Sequence, residues 1–556
     1  MPTVHPVRLR PLLLVLALAP APVAAQALAR PSVAEVDAVF AAFDNTRSPG
    51  CAVGVSQAGV PVLQRAYGMA DLEHDVPNRP QTVFEPGSVS KQITATATIL
   101  LALDGKLSLD DDIRTYLPEL PEYPETVRVR HLLNHTSGLR DWGSVAGIEG
   151  WPRTRRAHTH THVLDILSRQ RSLNYPAGDY YSYTNSGYNL QAILVERVSG
   201  MPFAEFSRQR IFEPLGMAHT QWRDDFNRIV KDRAIAYAPD GDGWSMLMPF
   251  EDVHGNGGLL TTVEDLLAFT QNLETGAVGG PRYLEEMHRQ GVLTSGQVIT
   301  YASGVVVDTY KGVRQVQHSG STAGYRGHLA RFPDQGLAVA VMCNTASGNA
   351  TRLLYQVADL YLAPVLRDEP PAPPAGVRRM GAEQLQPFAG LYRDTRTGAP
   401  LEIAVEGSGL RVDGSEVLPI GETRFVSAGG DVTLTFVERP GAGRPSAAVM
   451  DRPDHPDVRI EPVTPVQPDA AALGAYEGTY ESAEAEARWR LEVRDGTLTL
   501  VGRWGDTLAL RPAYADVFTG GGGRTFVFHR GVGGAVDGFT WSESRVWGLE
   551  FERVAR

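Results

Sequence analysis

Basic tracts, membrane-length apolar runs, metal-ligand sets and cysteine are all scarce in this sequence, and each scarcity narrows what the chain can be. Lys and Arg number 52 against 64 Asp and Glu, a formal net charge of −12, and no arginine-rich run offsets that balance. A phosphate-binding surface is therefore not expected, and nucleic acid is set aside as a partner. Downstream of the N-terminus no stretch approaches the roughly 20 apolar residues that cross a bilayer. His158, His160 and His162 alternate, but no Cys, Asp or Glu stands at ligand spacing beside them, so a metal is not expected there. Thr161 reads instead as the N-cap of a helix over Val163 to Gln170. Cysteine is limited to Cys51 and Cys343, both in strand-like runs. They form either a disulfide across one sheet or two buried thiols.

What is present begins with an address. Arg8 and Arg10 precede the apolar Leu12 to Leu18, Pro20 and Pro22 interrupt that run, and Val23-Ala24-Ala25 offers a small-residue cleavage site. This is the pattern of a secretory signal cut after Ala25, which places the mature chain in the periplasm or outside the cell with no transmembrane anchor. No Cys follows the cut, which argues against a lipid anchor. With 43% apolar and 21% charged residues over 556 positions, the remainder has the make-up of a globular protein of more than one domain.

The spacing predicts a helix from Ser32 to Phe43, a hairpin of Ala52 to Val55 and Val60 to Tyr67, and a buried helix from Gln92 to Leu103 closed by Gly105. A short helix carrying His131 and His135 reads as structural. A polar, tyrosine-rich loop over Asn174 to Tyr188 leads into a second apolar helix, Leu190 to Val198, and a glycine-rich turn at Gly255 to Gly258 into a third. Gly304 to Asn344 reads as a strand meander, making with the hairpin an antiparallel sheet of about five strands, which a helix over Thr351 to Leu362 closes. Residues 367–380 are a proline-rich linker. Beyond it Phe388-Ala389-Gly390-Leu391-Tyr392 recurs as Tyr476-Glu477-Gly478-Thr479-Tyr480, and Leu401-Glu402-Ile403 as Leu491-Glu492-Val493. Two all-β modules over 381–468 and 469–556, or two halves of one, are expected.

The chemistry centres on Phe84-Glu85-Pro86-Gly87-Ser88-Val89-Ser90-Lys91, where a Pro-Gly turn delivers Ser88 to a helix start and Lys91 follows one turn later. At i and i+3 the two share a face, and a buried, deprotonated amine there takes the serine proton. Ser-x-x-Lys alone recurs by accident. Here Tyr183-Thr184-Asn185 and His318-Ser319-Gly320 follow it, together with Asn134-His135-Thr136-Ser137-Gly138 and Gly257-Gly258-Leu259.

That ordered set resembles the serine β-lactamase and penicillin-binding superfamily, in the branch holding class C β-lactamases, esterases and D-aminopeptidases, over about Val33 to Leu362. The resemblance implies a β-lactamase-like α+β (α/β-type) domain over 26–366, a central antiparallel sheet flanked by helices, with C-terminal barrel or lipocalin-like modules. It implies Ser88 as nucleophile, Lys91 and Tyr183 as the proton-handling pair, and Asn185, His318, Gly320 and Ser321 at the substrate. The backbone N–H groups of Ser88 and Ser321 would form the oxyanion hole. A nearby ammonium is expected to pull the Tyr183 phenol down towards neutrality. His318 stands where the family usually has lysine, which weakens the case for binding a penicillin-type carboxylate. The implied activity is an exported serine hydrolase working through an acyl-enzyme on a small ester, amide or D-amino-acid peptide, with no metal or organic cofactor needed. The rivals are a β-lactamase or DD-peptidase and a catalytically silent protein whose β modules attach to the cell envelope.

Overall fold

The structure, a computed structural model, describes residues 28–367, 374–437, 443–452 and 455–554. The signal segment expected over 1–25 lies outside them, as does the middle of the proline-rich linker.

Strands β1 (Cys51–Gln57) and β2 (Val60–Tyr67) form the expected hairpin, and the meander supplies β3 (Val306–Tyr310), β4 (Val313–Thr322), β5 (Tyr325–Phe332) and β6 (Leu337–Cys343). They make one antiparallel sheet in the order β2-β1-β6-β5-β4-β3. The sheet therefore has six strands where about five were expected. Strand β3 is turned back on β4 by Lys311-Gly312, two residues at positive φ (45° and 78°), as the tightest hairpin turns require. Cys51 and Cys343 sit directly opposite each other in the β1–β6 register and are joined by a disulfide, which settles the choice left open by the sequence.

Two helices cover one face of this sheet. They are α1 (Val33–Val39), capped by Ser32 and Glu35, and a helix over Ala350–Leu362, which pack Val36, Leu354 and Val357 onto Val53, Val339 and Val341. Helix α1 ends at Val39, short of the predicted Phe43, where a 3-10 turn over Ala41–Phe43 takes over. On the opposite side lies a helical layer that includes α2 (Lys91–Leu103), α3 (Trp142–Glu149), α4 (Ser186–Ser199) and α5 (Val263–Thr275). Helix α2 is buried from Lys91 to Leu101, so its apolar residues need no stripe. Its threonines stay satisfied, Thr96 Oγ1 donating to Gln92 O (2.8 Å) and Thr94 Oγ1 to Gly255 O (2.8 Å).

The C-terminal repeat becomes two separate sheets. Eight strands from Gly390–Asp394 to His455–Pro462 close into a barrel with its own core, and nine strands between Gly478 and Arg553 form a sheet that curls almost shut. The repeated tyrosines do the same job in each: Tyr392 Oη donates to Phe388 O (2.9 Å) and Tyr480 Oη to Tyr476 O (2.8 Å). The nine-stranded sheet shares one apolar cluster with the helical layer, to which Trp142 and Ile148 on one side and Leu491 and Trp541 on the other belong. Arg140, buried, pairs with Glu484 of that sheet, and Trp489 Nε1 donates to Ile148 O (2.9 Å). Among the described residues no helix is long and apolar enough to cross a membrane.

Candidate active site

The turn that carries Ser88 is shaped by backbone approach. Phe84 and Thr261 exchange N–H···O bonds of 2.9 Å, and Gly87 then adopts φ +55°, feeding a 3-10 turn (Gly87–Ser90) that runs into α2. A Cβ on Gly87 would lie 2.5 Å from the backbone N of Ser321, and one on Gly320 would lie 1.9 Å from Pro86 O and 2.6 Å from the backbone N of Ser88. Only glycine fits either position. The close approach brings the backbone N atoms of Ser88 and Ser321 to neighbouring points at the end of β4.

Beneath the turn, Glu85 and Arg223, both 1% exposed, form a bidentate pair (3.0 and 3.2 Å), and Glu85 also accepts the Gly258 N–H (3.2 Å). Arg223 continues towards Glu251 (3.9 Å), which holds Arg153. A buried charge chain thus ties the Ser88 turn to the Gly257-Gly258 loop.

Lys91 Nζ is fully buried, 3.1 Å from Ser88 Oγ, 3.0 Å from Asn185 Oδ1 and 2.7 Å from Asn256 O. Burial holds its pKa well below the ordinary lysine value, and the Arg545 guanidinium adds to that, against a smaller opposing pull from Asp141. In its unprotonated form the amine has two N–H donors and one lone pair. Asn185 Oδ1 and Asn256 O accept and cannot donate, so they take both N–H groups and the lone pair faces the Ser88 hydroxyl. Asn185 is itself placed by Asp141, whose Oδ2 accepts its N–H (2.8 Å) and whose Oδ1 caps α3 through Gly143 and Ser144.

Tyr183 comes to the same spot from the polar loop, with the Lys91 amine 4.8 Å from its ring centroid. Here the expectation from the sequence is reversed. Burial drives the Tyr183 phenol upward, and a hydrogen bond with Ser88 and the nearby Arg545 guanidinium relieve that only in part.

His318 is buried on β4 and uncharged, its pKa depressed to about 3, by burial first and the nearby lysine second. Its Nδ1 donates to Ser319 O (2.5 Å), so Nε2 is left to accept from Tyr301 Oη (2.9 Å). Both ring nitrogens are thereby engaged within the protein. His135, read from the sequence as structural, lies inside the site. Its ring is fully buried, 4.2 Å from Tyr183 and 4.6 Å from Tyr301. The three alternating histidines diverge: His158 bonds Trp151 O (2.9 Å), His160 bonds His254 O (2.9 Å), and His162 accepts the Thr159 N–H (3.0 Å). Their helix begins at His160, capped by Thr159 rather than Thr161, because His162 supplies the reciprocal bond of a capping box. Asp71, Glu73 and His74, the one metal-like trio among the described residues, lie outside the Ser88 cleft.

The cleft encloses about 770 Å³ and is lined by Ser88, Tyr183, Asn185, His318, Gly320 and Ser321, the residues singled out from the sequence. It is also lined by Arg153, Arg326 and Arg545, which the sequence did not suggest. Arg545 arrives from the C-terminal sheet, and nothing in the residues around it announces a role beside Ser88.

Comparison with known proteins agrees with this geometry. The Beta-lactamase family model matches residues 36–362. A D-aminopeptidase of Cereibacter sphaeroides (strain KD131) is 28% identical over 474 residues, covering 83% of this chain and 86% of that protein. Penicillin-binding protein 4* of Bacillus subtilis is 26% identical over 435 residues, 73% of this chain and 94% of its own. In fold the chain is similar to the octameric penicillin-binding protein homologue of Pyrococcus abyssi, with a TM-score of 0.52 at 23% identity over 74% of this chain and 95% of that one. With the matched segment spanning more than half its length, and with a serine and a buried lysine meeting in the cleft, the chain belongs to the beta-lactamase family and is a serine hydrolase.

Proposed function

We propose that the protein hydrolyses amides or esters, including peptides that contain a D-amino acid, through an acyl-enzyme on Ser88. The observation that carries this reading is the Lys91 amine, buried, held by that burial well below the ordinary lysine pKa, and 3.1 Å from Ser88 Oγ. Lys91 removes the serine proton as Oγ attacks the carbonyl. Tyr183, remaining a phenol, relays the proton to the leaving group and positions water for deacylation. The N–H groups of Ser88 and Ser321 receive the oxyanion, and Asn185 holds the lysine in register. Similarity to a D-aminopeptidase supports the D-amino-acid substrate class. The Cys51–Cys343 disulfide supports export, since such bonds persist in oxidising compartments.

The test is intact-mass spectrometry after incubation with a fluorophosphonate and, separately, with a penicillin, using Ser88→Ala as control. A phosphonate adduct that requires Ser88 supports the nucleophile, and its absence on folded protein rejects it. Similarity to penicillin-binding protein 4* favours a second reading, penicillin recognition, for which a stable penicillin adduct on Ser88 is the marker.

A further inference from the structure

The Ser88 cleft is lined by three arginines and by no Asp or Glu. In a chain of net charge −12 that is a local reversal of sign. The three differ in what already answers their charge. Arg153 donates to Glu251 Oε2 (2.7 Å) and is matched. Arg326 donates to the backbone carbonyls of Ala323 (2.8 Å) and Tyr325 (2.7 Å), and among the described residues it forms no ion pair. Arg545 reaches only to 3.8 Å from Asp141 Oδ2, on a carboxylate that already accepts the N–H groups of Gly143, Ser144 and Asn185.

Arg545 is also held in place. It sits in the turn between strands Val536–Glu543 and Val546–Arg553, and its carbonyl accepts from Asp141 N (3.2 Å) and Asn174 Nδ2 (3.1 Å). Its guanidinium lies 5.1 Å from the centroid of the Tyr183 ring. The C-terminal sheet thus delivers a fixed, under-neutralised cation to the mouth of the cleft.

We propose that this cleft selects substrates carrying a carboxylate or similar anion near the scissile bond, received by Arg545 and Arg326, and that it disfavours substrates with a free ammonium there. The proposal rests on the reading of Ser88 as nucleophile. A guanidinium binds a carboxylate through paired N–H···O bonds that strengthen as water is excluded. An ammonium in the same position meets like charge with no acid to relieve it.

The test uses the full-length protein and D-alanine anilides that differ only in charge. On the acyl side these are the N-succinyl, N-acetyl and unblocked D-alanyl 4-nitroanilides, and on the leaving side the N-acetyl-D-alanyl anilide of 5-amino-2-nitrobenzoate. Either anionic compound should exceed the neutral one in kcat/KM by about tenfold, with the unblocked compound slowest. Arg545→Gln or Arg326→Gln should collapse that ratio, Arg545→Lys should retain part of it, and added salt should reduce it. The proposal is overturned if unblocked D-alanyl is fastest, or if neither Gln variant changes the ratio. Should every anilide be inert while the phosphonate still labels Ser88, protection against labelling decides. Stronger protection by N-succinyl-D-alanine than by D-alanine amide supports the selection, and equal protection rejects it. No label on Ser88 in the folded protein removes the underlying reading and the proposal together.

Discussion

In the proposed mechanism Lys91 is the base, and its surroundings fix how activity should vary with pH. A lysine can act as a base only when neutral, so kcat/KM should fall as pH drops through its pKa. Burial sets that pKa far below the ordinary lysine range. The groups facing it are Tyr183, Tyr188, His135, His318, Asp141, Arg153 and Arg545. Arg545 pushes the value down, so Arg545→Gln should raise it and move the acid limb of the pH–rate profile to higher pH. An unmoved limb would show that the guanidinium is screened from the amine. Lys91→Ala should lower kcat by roughly a thousandfold, and Lys91→Arg should not rescue it, because a guanidinium stays protonated. Ser88, Lys91, Tyr183, Asn185 and His318 could be singled out in the sequence because their short motifs stand in the order of a known family, and the structure brings them together. The direction of the Tyr183 shift was not legible. It depends on how completely water is excluded from the phenol itself, which no spacing of residues reports.

At the scale of the element, the Ser88 turn and the end of β4 are pressed together through two glycines. Gly320→Ala would set a Cβ 1.9 Å from Pro86 O, so the strand must retreat from the turn. Phosphonate labelling of Ser88 should slow by at least about tenfold while the fold survives, as judged by far-ultraviolet circular dichroism. Glu85 anchors the other side of the same turn. Glu85→Ala leaves Arg223 buried without its carboxylate, and urea unfolding should register a loss of about 3–5 kcal/mol. Most elements were readable from periodicity, including the hairpin, the meander and the long buried helices. Their ends were less so. Thr161 was read as a cap because it precedes an apolar run, whereas the reciprocal bond between His162 and Thr159 starts the helix earlier.

For the whole molecule, the hydrolase region and the nine-stranded sheet share one apolar cluster, joined by Arg140 and Glu484. A chain ended at residue 467 should therefore expose that face, bind a hydrophobic dye and lose activity. Full activity and a cooperative melt in the truncated chain would mean that the sheet is an appendage. The C-terminal repeat was visible in the sequence, but its docking was not, because Trp489, Trp541 and Arg545 carry no local sign of what they meet. The Cys51–Cys343 bond has a different reach. It joins the first strand of the central sheet to its last, spanning 292 residues that include Ser88, Lys91, Tyr183 and His318. A protease that cuts any loop within that span leaves two pieces still tied together. Nicked enzyme should therefore migrate as one band without reductant and as two with it, and a surface clip need not release the serine from its sheet.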